Sequence, residues 1–178
     1  MSLPILRTSR LVLQPFDRDD VDALHALWTD ADVRRHLWDD EVIPRDRAEA
    51  TIDGAIASAG STGVGMWTIR KAATPHHVVG FSGLRHLPSE TDVELLYGLH
   101  PLFWGGGYAT EAADAVLRYA YTTLRLPRVL TGADAANTRS FGVMQRLGMM
   151  PLAGGVPAVP GATYYALDAA AYFARLRA

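Results

Sequence analysis

Pro101-Leu102-Phe103-Trp104-Gly105-Gly106-Gly107-Tyr108-Ala109-Thr110-Glu111-Ala112 is the stretch on which the reading of this chain turns. An apolar run ends in it and three glycines follow. Then Ala109, Ala112, Ala113, Val116, Leu117, Ala120, Tyr121 and Leu124 recur at helical spacing. They mark the clearest helix in the sequence. Glycines let the backbone curl so that several N–H groups point inward, and a helix N-terminus adds about half a positive charge. A strand that runs through glycines into a strong helix is therefore suited to holding phosphate. A plain tight turn also needs glycine, and Gly-Gly-Gly alone does not separate the two readings. No Gly-Lys-Ser/Thr follows, so the loop is not a P-loop. The repeated unit that a dinucleotide fingerprint needs is also missing.

Outward from the loop, Val93-Glu94-Leu95-Leu96-Tyr97-Gly98-Leu99 reads as the strand that feeds it, with Glu94 a lone carboxylate in an apolar run. Met66-Trp67-Thr68-Ile69-Arg70 and Val78-Val79-Gly80-Phe81-Ser82-Gly83-Leu84 read as a hairpin turning at Thr74-Pro75-His76-His77. Glu90-Thr91-Asp92 is a polar connection. Further back, Arg10 to Phe16 is a strand that Pro15 ends or places at an edge. Asp17 to Asp20 offer capping carboxylates to a helix carrying Val21, Leu24, Leu27 and Trp28. Val33 and Leu37 predict a second, short helix. Pro44 opens a third, with Ala48, Ile52, Ala55 and Ile56 on its apolar stripe, that ends over Gly60 to Gly65.

Beyond the loop helix, which Pro127 ends, Val129-Leu130-Thr131 starts a strand. Asn137 opens a helix through Phe141, Met144 and Leu147 that Gly148 closes. Pro157 to Gly161 is a loop within the domain, Tyr164 to Leu167 a strand, and Asp168 caps a terminal helix. This order predicts a mixed α/β (α+β) fold, a sheet with helices on both faces.

At 178 residues, 49% hydrophobic and 20% charged, the chain has the size and balance of one globular domain spanning 1–178. The absence of cysteine excludes disulfides, thiolate metal sites and a cysteine nucleophile. A net charge of −2 argues against nucleic-acid binding through bulk charge. No run is apolar enough to span a bilayer and no signal peptide is visible, so a cytoplasmic protein without membrane partners is expected. His25, His36, His76, His77, His86 and His100 show no metal-ligand spacing, and no metal is expected.

Trp104-Gly105-Gly106-Gly107-Tyr108-Ala109-Thr110-Glu111-Ala112 resembles the coenzyme A pyrophosphate loop of the GNAT acetyltransferases, Gln/Arg-x-x-Gly-x-Gly/Ala. Gly107 and Ala109 match its small positions. Trp104 in place of Gln/Arg is similar to the RimJ/RimL-like branch, whose segment often reads Trp-Gly-Lys-Gly-Tyr-Ala-Thr-Glu-Ala. Here Gly106 replaces that lysine, so one basic side chain near the phosphates is missing. Thr8 to Phe16, Asp32-Val33-Arg34-Arg35-His36-Leu37, Gly80 to Leu84, and Asn137-Thr138-Arg139-Ser140 with Leu147-Gly148-Met149 resemble the same branch in order, over nearly the whole chain.

The resemblance implies a twisted mixed sheet in which two parallel strands, at 93–99 and 129–133, splay to admit the pantetheine arm. It implies acetyl-CoA as co-substrate, held by Leu99, Trp104, Gly105, Gly106, Gly107, Tyr108, Ala109, Thr110, Asn137 and Ser140. The acceptor it implies is a protein N-terminus or a small-molecule amine, served by a monomer or homodimer. A sensor that binds an acyl-CoA without catalysis, and a transferase for a different acyl group, remain alternatives.

Amine acetylation needs a proton acceptor for the ammonium and a donor for the thiolate. Glu94 is the candidate acceptor, since a desolvated carboxylate holds its proton more tightly; a solvated strand glutamate is the alternative. Ser140 is the candidate donor, because the tyrosine many relatives carry in this helix is Met144 here. The alternative is a helix serine bonded back to a carbonyl. Asn137 is an N-cap and, by the resemblance, a coenzyme contact. Tyr97, Tyr108, Tyr164 and Tyr165 read as core or pocket wall. Trp38-Asp39-Asp40-Glu41 offers an indole face and carboxylates to a cationic acceptor, or is a solvated loop with Trp38 in the core. Segments 30–45 and 155–165 are the expected acceptor walls.

Overall fold

The glycine loop joins a strand, Val93–Leu99, to a helix, Tyr108–Thr122, as its composition predicts. The computed structural model describes residues 2–88, 92–153 and 161–177. Its strands are β1 (Leu6–Arg7), β2 (Leu11–Pro15), β3 (Met66–Lys71), β4 (Thr74–His86), β5 (Val93–Leu99), β6 (Arg128–Asp134), β7 (Met150–Pro151) and β8 (Ala162–Asp168). Its helices are α1 (Val21–Thr29), α2 (Ala31–Arg34), α3 (Arg45–Thr62), α4 (Tyr108–Thr122), α5 (Thr138–Arg146) and α6 (Ala169–Arg175). The sheet order is β1-β2-β3-β4-β5-β6-β8-β7. Every neighbouring pair is antiparallel except β5 and β6, whose connection is the α4 crossover.

The parallel pair is joined at one register position, Glu94 opposite Leu130. Beyond it the strands part, and the gap lies at the C-terminal end of β5, where the glycine loop begins. Alternation along β5 turns Val93, Leu95 and Leu99 into the core beneath α4, with Tyr97 against its edge. Leu96 packs instead against the second core, formed by α1, α2 and α3 on the other face. The two cores hold β5 from both sides.

One reading needs correction. The hairpin turns at Ala72-Ala73, not at Thr74 to His77, which already belong to β4. A register shift at Arg70 accommodates Pro75 there, since a bulge does not need its missing N–H. The third helix ends within the expected Gly60 to Gly65 stretch, at Thr62, with Gly63 closing it in the left-handed region, φ +76°. The two-residue strands β1 and β7 were not anticipated, being too short to show alternation. Glu90 and Thr91 of the polar connection, and most of the Pro157 to Gly161 loop, lie outside the described residues. Among those described, no helix is long and apolar enough to cross a membrane.

Glu111, one turn into α4, ties the N-terminal segment to the loop helix. Its carboxylate accepts from Thr8 Oγ1 at 2.5 Å, Arg10 N at 3.0 Å and Arg10 Nε at 2.6 Å. Burial alone would raise this carboxyl. The hydrogen bonds from Thr8 and Arg10 and the Arg10 charge outweigh it and hold the group below its ordinary 4.5. A lowered carboxyl adds stability that is complete above its unfolded-chain value and is lost as pH falls through the folded one. Glu111→Gln should therefore cost about 1–3 kcal/mol at neutral pH, the scale of hydrogen bonds to a charged group. It should also narrow the difference in denaturant midpoint between neutral pH and pH of about 3. An unchanged difference would show that the acid lability arises elsewhere.

Candidate active site

A cavity of about 650 Å³ opens where β5 and β6 part. One wall is the glycine loop and first turn of α4, through Trp104, Gly105, Gly107, Tyr108, Ala109 and Thr110. A second is α5, with Asn137, Arg139, Ser140 and Arg146. The end of β5 supplies Tyr97, Gly98 and Leu99, and the far end is closed by Asp32, Val33, His36 and Leu37 around Phe81.

The loop has the form that anion binding requires. Gly107 is the N-cap of α4 at φ +78°, and Glu111 N is the first to bond back, to Gly107 O at 3.1 Å. Tyr108, Ala109 and Thr110 thus present N–H groups without intrahelical acceptors. A Cβ at Gly105 would meet nothing within 4 Å, and one at Gly107 only Arg10 Nη2 at 3.5 Å, so open space lies over the backbone. Trp104 Nε1 donates to Leu99 O at 2.8 Å and ties the loop to the end of β5. Gly106 does not line the cavity; its carbonyl accepts from Arg10 Nη1 at 2.9 Å.

Two cations that the sequence reading passed over stand opposite this backbone. The Arg139 guanidinium lies 4.3 Å over the Trp104 ring, and Arg146 Nε donates to Thr110 Oγ1 at 3.2 Å. Their spacing was the available signal: seven residues is two helical turns, which puts both on one stripe of α5. They supply charge where Gly106 lacks a lysine.

Asn137 Oδ1 accepts from Ser140 N at 3.2 Å, so the cap uses the amide oxygen and leaves the NH₂ group for the cavity. The Ser140 hydroxyl donates to no carbonyl among the described residues, and its own carbonyl accepts from Tyr97 OH at 3.2 Å. Burial pushes the Tyr97 phenol up to about 12, which keeps it protonated, and its hydrogen is committed to the Ser140 carbonyl. Met144 is fully buried and faces the core.

Glu94 is not among the residues that line the cavity. It is 2% exposed, and Oε2 accepts from Arg85 Nε at 2.6 Å. Burial first, then the Glu94 charge beside it, push the Tyr164 phenol far above its ordinary 10. Glu94 also sits at the wrong end of the strand: four residues short of Gly98, or about 13 Å at 3.3 Å per residue. Trp38 likewise stands away from the cavity. Its ring packs 5.8 Å from that of Trp28, and the Arg47 guanidinium lies 5.0 Å from it, where the acceptor was expected. Asp39 and Asp40 are exposed beyond it, and Asp40 accepts from Arg34 Nε at 3.0 Å.

An acetyltransferase (GNAT) domain model matches residues 10–150. The chain belongs to the GNAT acetyltransferase family. It is an acyltransferase by that membership. It is 26% identical over 147 residues to the uncharacterized N-acetyltransferase p20 of Bacillus licheniformis, covering 80% of each. The crystal structure of an acetyltransferase from Agrobacterium tumefaciens superposes with a TM-score of 0.85 at 26% identity, over 94% of this chain and 96% of that one. RimL, a ribosomal L7/L12 α-N-protein acetyltransferase in complex with coenzyme A, superposes at 0.77 over 94% and 99%. At 20% identity, that second likeness is one of fold.

Proposed function

We propose that this chain, as a single acetyltransferase domain, transfers the acetyl group of acetyl-CoA to a primary amine by direct attack. The observation that carries the reading is the union, on one cavity, of unpaired α4 N–H groups, open glycine backbone and two α5 arginines at the splay of β5 and β6. These residues suit a pyrophosphate, and the gap between the strands suits an extended thioester arm. Acetyl-CoA supplies the activated acyl group. Gly105, Gly107, Tyr108, Ala109 and Thr110 with Arg139 and Arg146 bind its phosphates, and Asn137 orients the arm. Ser140, with no carbonyl to donate to, gives a proton to the departing sulfur. The supporting comparison is that the RimL structure holds coenzyme A.

The test is free-thiol release from acetyl-CoA across a panel of primary amines, from amino acids and their amides to short peptides and polyamines. Amine-dependent release supports the reading. Tight acetyl-CoA binding without release from any amine favours the sensor, and release only with a longer thioester favours another acyl group.

Glu94 is where the sequence reading places the base, and a direct role asks its carboxylate to reach about 13 Å. Its contacts with Arg85 and Tyr164 support a structural role instead, holding the two across the sheet. Glu94→Gln should lower stability by about 1–2 kcal/mol, the lower part of the range for a charged hydrogen bond because Arg85 is half exposed. The acid limb of the pH–rate profile should persist. Loss of that limb with unchanged melting would restore Glu94 as the base.

A further inference from the structure

The cavity has two ends of opposite character. At one, Arg139, Arg146 and the first turn of α4 suit an anion. At the other, Asp32 and His36 line the wall with Val33, Leu37, Phe81 and Gly98. Asp32 and His36 are four residues apart, on α2 and the turn that continues it, and both line the cavity. Asp32 is exposed, and its nearest cation, Arg35, stands 3.9 Å away on the surface, too loosely held to occupy the carboxylate. His36 is half-buried.

We infer that His36 takes the proton from the acceptor amine and that Asp32 receives that amine as its ammonium ion. The inference rests on the acetyl-transfer reading. The other titratable or charged groups on the cavity are Tyr97 from β5, Tyr108 from α4, and Arg139 and Arg146 from α5. Tyr97 is held protonated, and arginine is a permanent cation. Histidine is the side chain that changes charge across the neutral range and can both accept and release a proton there.

The step balances. An N–H bond of the ammonium breaks, its electron pair stays on nitrogen, and the proton passes to the neutral imidazole and then to solvent. The freed pair forms the N–C bond at the thioester carbonyl. The C–S bond breaks with its electrons on sulfur. Ser140 protonates the sulfur, and the second proton that nitrogen loses in becoming an amide restores the hydroxyl.

The experiment uses the full chain with acetyl-CoA and the fastest amine of the panel. His36→Gln should lower kcat by about 10²-fold, remove the acid limb of kcat/KM, and leave acetyl-CoA affinity by calorimetry in place. Added imidazole should restore part of the turnover of His36→Ala, which a structural role would not allow. Asp32→Asn should raise KM for the amine more than it lowers kcat, and less so as salt rises. An active parent whose His36→Gln variant keeps rate and acid limb overturns the inference and leaves acetyl transfer standing. A parent that releases thiol with no amine overturns both. If the His36 variants do not fold, Asp32→Asn decides, and an unchanged amine KM at low salt is the adverse result.

Discussion

Gly107→Val is expected to abolish measurable acetyl-CoA binding in a chain that remains folded. Gly107 holds φ +78° as the N-cap of α4. That region costs an ordinary residue about 1–2 kcal/mol, and a β-branched one more. Relief by rotation of the backbone would turn the Tyr108, Ala109 and Thr110 N–H groups away from their common focus. If the conformation held, the new side chain would stand in the open space over the loop, where the only atom within 4 Å of a Cβ is Arg10 Nη2 at 3.5 Å. No internal clash arises, so the loss falls on the ligand and not on the core. The affinity loss should be about 10²-fold or more, two factors of ten at about 1.4 kcal/mol each. Calorimetry with acetyl-CoA, beside a thermal melt of the same variant, checks both halves. Unchanged affinity would remove the loop from the binding site. Gly107→Ala, without branching, should fall between parent and valine.

The glycine loop shows why much of this fold was legible. Its chemistry is local: glycines, a strong helix and the strand before it are contiguous in sequence, and each follows from near-neighbour physics. The same holds for Asn137, whose cap to Ser140 spans three residues. What escaped was set by distant contacts. Glu94 looked like a buried base because alternation places it in an apolar run. Whether its carboxylate is free depends on Arg85, on the neighbouring strand β4, and on Tyr164, on β8. For Trp38 the sequence left two readings open, an acceptor face or the core, and the choice rests on distant partners: the indole packs against Trp28 of α1 and Arg47 of α3. The hairpin at Ala72-Ala73 was missed because Thr74-Pro75 carries the stronger turn signal, and the bulge that admits Pro75 is a property of the pair of strands. His36, on which the proposed proton transfer rests, was not singled out because one histidine has no spacing; only the cavity gives it company.

Arg139→Gln with Arg146→Gln should weaken acetyl-CoA binding by about 10²-fold at low salt, near tenfold for each charge-assisted hydrogen bond after discounting for solvent exposure. Both side chains are exposed at the cavity rim. The difference between parent and double variant should therefore shrink as ionic strength rises and the Debye length falls to about 8 Å near 0.15 M. The two positions are not equivalent. Arg139 lies flat over Trp104 at 4.3 Å, so Arg139→Lys keeps the charge and loses a planar stack, and should recover only part of the affinity. Arg146 is steered by Thr110, and Thr110→Val should cost less than either arginine, because it loosens the guanidinium without removing it. A phosphate-free donor separates this account from a general disturbance of the cavity. S-acetylpantetheine carries the thioester arm without the pyrophosphate, so parent and double variant should use it alike, however poorly. If the double variant binds acetyl-CoA within about twofold of the parent at low salt, or loses S-acetylpantetheine to the same extent, the arginines are not the phosphate ligands and the positive end of the cavity belongs to the α4 backbone alone.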